Sequence, residues 1–102
     1  MFGTVARIKV KAGKEEEMLA FSKEWTKENG SRAGQIAEYV FQLEKRPGEY
    51  MMVGIFPSRE DYYRFADQPE TDRWYRQWRE LLEADPEWND GAVIQSEVFA
   101  RM

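Results

Sequence analysis

The chain contains no cysteine and no histidine among its 102 residues. The first absence removes disulfides and thiolate chemistry, and fits a reducing compartment. The second removes the commonest general base. Together they remove the usual side-chain donors for zinc and the axial histidine of a haem. Without histidine, Ser22, Ser31, Ser58 and Ser96 have no recognisable activating base. No glycine-rich phosphate loop or dinucleotide fingerprint occurs. No stretch approaches the roughly 18–20 apolar residues of a membrane span. The opening residues interleave Arg7, Lys9 and Lys11 with apolar positions, so they do not read as a signal peptide. The expectation is one cytoplasmic domain over residues 1–102, without cofactor, metal or membrane partner.

The formal net charge is −4, with both signs interspersed. That argues against a nucleic-acid partner, whose binding rests on basic residues meeting phosphates. Arg59, Arg64, Arg73, Arg76 and Arg79 alternate with acids and read as a solvated, ion-paired helix face.

What the chain does have is 4 Trp, 5 Tyr and 6 Phe, set on well-patterned segments. Residues 2–11 alternate as a strand, with Phe2, Thr4, Ala6, Ile8 and Val10 on one face. Three glutamates, Glu15 to Glu17, open a helix over 14–29, where the dipole favours them. Asn29-Gly30 offers left-handed backbone at its end. Residues 35–45 read as a second strand. Ala37, Tyr39, Phe41 and Leu43 fall on one face, and Ile36, Glu38, Val40 and Gln42 on the other. Arg46-Pro47-Gly48 is a turn. Residues 49–56 form a third strand, apolar on both faces and therefore central. Gly54 in its middle implies a close approach or a bend. Ser58 caps a second helix with Asp61 in its first turn, and Pro69 breaks this helix and starts the next. Residues 91–100 alternate as a fourth strand.

The order β-α-β-β-α-β is that of the ferredoxin-like α+β fold, a four-stranded antiparallel sheet with helices on one face. The other face, with Val5, Met51 or Val53, Ile36 and Val40, then needs cover. A homodimer through the sheet face is expected.

The segment Lys9-Val10-Lys11-Ala12-Gly13-Lys14-Glu15-Glu16-Glu17 resembles the entry of antibiotic biosynthesis monooxygenase domains. So do Glu38-Tyr39-Val40, the run Phe56-Pro57-Ser58-Arg59-Glu60-Asp61, the Pro69 break and the helix from Trp74 to Leu82. The resemblance covers nearly the whole chain, through diffuse motifs. It implies a dimeric α+β barrel with a ligand cleft between helices and sheet. It also implies oxidation of a small aromatic or quinone-like molecule by O₂ without metal or flavin. Many members carry histidines where this chain has Phe65 and Glu70, and a glutamate where it has Gly54. A related branch degrades haem, for which the missing histidine speaks against this chain.

The residues left to line a cleft are Trp25, Tyr39, Tyr62, Phe65, Trp74 and Trp78. Tryptophans at helical spacing more often fill a core than line a site. Tyr39, on an otherwise apolar face, is expected to turn its hydroxyl inward, where it needs a partner. Tyr62, Tyr63 and Tyr75 are expected to straddle the surface. The alternative function is a non-catalytic ligand-binding or structural barrel protein. An isomerase of the same barrel type is weaker, since no general base is evident.

Overall fold

A computed structural model describes residues 1–30 and 34–100. The alternation near the start forms β1 (Phe2–Lys9), and the acidic turn opens α1 (Glu15–Asn29). Then follow β2 (Ala37–Gln42), β3 (Glu49–Phe56), α2 (Arg59–Ala66), α3 (Pro69–Arg79) and β4 (Glu87–Ala92). The Ser58 hydroxyl caps α2 by accepting from the Asp61 N–H at 3.1 Å. Pro69 occupies the first turn of α3, where its missing N–H costs nothing.

All strand neighbours are antiparallel, in the order β2-β3-β1-β4. This is the α+β ferredoxin-like sheet, with β3 central as expected and β1 central beside it. The core lies between the sheet and the helices. Ile8, Val10, Met18, Tyr50, Trp78 and Leu82 are buried together there. Full burial of a side chain such as Ile8, Met18 or Leu82 contributes about 1.5–3 kcal/mol. Among the described residues, no helix is long and apolar enough to cross a membrane.

Four expectations are corrected. The second strand covers only Ala37–Gln42, not 35–45. The chain turns after Leu43, through Lys45 (φ 64°) and Gly48 (φ 80°). Leu43 N–H donates to Glu49 O at 2.9 Å and closes the hairpin.

The faces of that strand are also reversed. Register pairs Val40 with Met52 and Tyr39 with Val53. Val40 therefore packs toward the core, while Tyr39 is 63% exposed on the sheet's open side. Both faces carry apolar residues, so alternation defined the two sets without saying which turned inward.

The last strand is Glu87–Ala92 rather than 91–100. Its partner β1 begins at Phe2, opposite Ala92, and Val93 N–H reaches Met1 O at 2.9 Å. Among the described residues, those beyond Val93 are in no strand. The fourth correction is small: Gly30 keeps right-handed backbone (φ −56°), and the left-handed glycine of this connection is Gly34 (φ +71°). Ser31, Arg32 and Ala33 lie outside the described residues.

The expected ion-paired helix surface is present, with Arg64–Asp61, Arg73–Glu70 and Arg76–Asp72 pairs. The face of the sheet away from the helices bears exposed Val5, Tyr39 and Phe41. Arg7 crosses it to donate to Glu49.

Candidate functional site

The sheet register sets one residue from each strand side by side in a row: Glu38, Gly54, Thr4 and Asp90. Aligned positions point to the same face, and all four line one cavity on the helix side. The row has a carboxylate at each end and two small residues between. A Cβ on Gly54 would stand 3.0 Å from the Gln35 amide nitrogen, so the glycine makes room for that side chain.

The cavity measures about 500 Å³, within the usual range for small-molecule sites. Each helix supplies an aromatic wall: Trp25 from α1, Phe65 from α2 and Trp74 from α3. Trp25 packs edge-on against Phe65, centroids 5.4 Å apart, and lies 4.9 Å from Trp74. Phe56 closes the inner side against Phe65 and Tyr62. Such mutually packed rings hold one another in place.

At one end the Asp90 carboxylate accepts two phenols. Tyr62 donates at 2.9 Å and Tyr63 at 3.3 Å. Tyr62 is buried. Burial first, then its bond to Asp90, raises the phenol well above its ordinary range, while the neighbouring Thr4 hydroxyl opposes. Tyr62 therefore stays neutral and keeps donating. At the other end Thr26 donates to Glu38 at 3.1 Å. Two buried polar atoms of lining residues, Thr4 Oγ1 and Trp74 Nε1, have no protein partner. Unpaired buried groups are costly, and in a cavity wall they are ready to meet a ligand. Among the described residues, no three acids converge as a metal ion would require.

Of the six residues expected at a cleft, the structure brings together Trp25, Tyr62, Phe65 and Trp74. Tyr39 lies on the opposite side of the sheet, so its hydroxyl is neither buried nor turned into the cavity. Trp78 is fully buried behind Trp74, stacked 4.9 Å away, and belongs to the core. Tyr62 does not straddle the surface, because Asp90 takes its hydroxyl. Sequence reasoning missed Asp90 and Trp88. Both precede the strand expected over 91–100, and only the early start of β4 turns them to the helix side. The signal available was a tryptophan two positions before an aspartate.

No family model and no curated protein matches the sequence. Solved structures match in shape. A conserved protein from Methanosarcina mazei Go1 superposes with TM-score 0.79 at 20% identity, over 88% of this chain and 89% of that one. An antibiotic biosynthesis monooxygenase superposes with TM-score 0.78 at 15% identity, over 93% of this chain and 100% of that one. SnoaB, a cofactor-independent oxygenase from Streptomyces nogalater, gives 0.81 at 14% identity, over 93% and 94%. The fold is that of the antibiotic biosynthesis monooxygenases.

At these identities the likeness extends to the fold and not to the chemistry. On that fold the chain's departures are well separated. Phe65 is inside the cavity, and Gly54 is on its floor. Glu70 lies outside it, in a shallow groove between α1 and α3 that Arg73 also lines.

Proposed function

We propose that this protein is a cofactor-independent monooxygenase acting on a small aromatic or quinone-like molecule held in the cavity. The observation that carries this reading is the Asp90–Tyr62–Tyr63 cluster opening onto an aromatic-walled cavity. An electron-rich aromatic substrate needs a proton acceptor and donors for the anion that forms. Asp90 takes the proton. Once neutral it holds the phenols less strongly, and Tyr62 and Tyr63 turn to the substrate oxyanion. The anion passes one electron to O₂, and the radical pair combines to a peroxide. Protonation and loss of water leave a carbonyl, with one oxygen atom in the product and one in water. The substrate supplies every electron. Trp25, Phe65 and Trp74 hold its rings.

We further place the working form as a cytoplasmic homodimer joined through the open sheet face. Support comes from exposed Val5, Tyr39 and Phe41, with Ile94, Val98 and Phe99 exposed beyond β4.

A second reading has one observation in its favour: among the described residues, no lysine or arginine lines the cavity to stabilise an anion. On that reading the protein binds its ligand without oxidising it. Oxygen consumption with dithranol and menadiol, beside tryptophan-fluorescence titration of the same compounds under argon, separates the two. Uptake above the buffer rate that falls at least tenfold in Asp90→Asn supports the oxygenase. Binding without uptake supports the carrier, and no binding of either compound refutes a ligand cavity for this class.

A further inference from the structure

The charge around the cavity is one-sided. Glu38, Asp67, Asp72 and Asp90 all line it, and among the described residues no lysine or arginine does. Among the described residues, only Asp72 of these is ion-paired, with Arg76 at 3.0 Å. Glu38 is half-buried, its carboxylate accepts from Thr26, and among the described residues no cation pairs with it. The walls are Trp25, Phe65 and Trp74, whose π faces attract positive charge. Thr4, 8% exposed, leaves its hydroxyl unpartnered on the floor beside Asp90. A hydroxyl can accept a bond from an N–H donor. The carboxylates and the ring faces favour a cation over an anion, whereas the Thr4 hydroxyl can serve either. A ligand that is already anionic would meet like charge, with no cation among the described lining residues to offset it.

We infer that the cavity selects an aromatic molecule bearing a protonated amine, with Glu38 as the carboxylate that receives the ammonium group. This rests on the cavity being the ligand site, and it narrows the substrate class to amino-substituted aromatics. In this arrangement the two ends of the polar row do different work. Glu38 anchors the amine, and Asp90 faces the ring's ionisable position. Anionic aromatics such as carboxylates and sulfonates are excluded.

The test uses three molecules of nearly one shape. They are naphthylmethylamine (a cation at neutral pH), naphthalenemethanol (neutral) and naphthoate (an anion). Each is titrated into the full-length protein by calorimetry at low and at physiological salt. The cation is expected to bind about tenfold tighter than the alcohol, and the anion weakest. Its advantage should shrink as salt rises. Glu38→Gln should bring the cation close to the alcohol and leave the alcohol's affinity unchanged. Should that variant not fold, the salt dependence in the wild-type protein decides. Equal binding of the three, or tighter binding of naphthoate, overturns the inference while leaving the cavity as a ligand site. A cation preference that survives Glu38→Gln unchanged overturns the role of Glu38. Binding of none overturns both the inference and the reading it rests on.

Discussion

Replacing Tyr62 by phenylalanine isolates the bond on which the candidate site turns. The ring keeps its neighbours Phe2, Phe56 and Tyr63, at centroid distances of 5.5, 5.3 and 4.9 Å. What is lost is the hydroxyl that donates to Asp90 at 2.9 Å. A hydrogen bond to a charged acceptor contributes about 1.5–3 kcal/mol. Asp90 is exposed and can recover water, so the lower end applies, and Tyr62→Phe should cost about 1–1.5 kcal/mol near neutral pH. The same bond predicts a pH signature. The folded protein holds the Tyr62 proton above the ordinary range, chiefly through burial. The unfolded chain releases it near pH 10. Stability from this group is therefore full below about pH 10 and falls above it, by at most about 1.4 kcal/mol per pH unit. Tyr50, also raised by burial, acts in the same direction and remains in the variant. Urea unfolding of both proteins from about pH 7 to 11 should show the wild-type advantage disappearing near pH 11. An advantage that stays constant across that range, or none at neutral pH, refutes the reasoning.

The Arg7 hydrogen bond is the largest influence on the Glu49 carboxyl and holds it below its usual range. That contribution is present above the unfolded carboxyl value and is lost as pH falls through the folded one. Glu49→Gln should therefore flatten the acid limb of stability below about pH 4.5, read by circular dichroism during acid titration. Identical acid limbs would count against it. Phe41→Glu should put a charge on the open sheet face and convert a wild-type dimer to monomer by sedimentation at micromolar concentration. A monomeric wild-type protein, or a variant that still dimerises, would remove the sheet-face interface.

Much of the fold was legible because its signals are local. Alternation in residues 2–11, the apolar run 49–56, the Ser58 cap and Pro69 at a helix start each act within a few positions. Errors arose where pairing decides. In β2 both faces carry apolar residues, and only hydrogen bonding to β3 turned Tyr39 outward and Glu38 inward. In β4 the alternation of residues 91–100 reads as a strand, but pairing with β1 covers Glu87–Ala92. A strand exists where a partner exists.

The missing histidine and cysteine, known from the sequence by itself, determined which chemistry this interior cannot perform. The aromatic residues on α1, α2 and α3 determined that its walls would be rings. Only the tertiary structure decided what stands among them. A carboxylate becomes a site residue through its register, and register is a property of paired strands rather than of any one segment. Glu38, Gly54, Thr4 and Asp90 are far apart in the chain. Three antiparallel pairings bring them into one row.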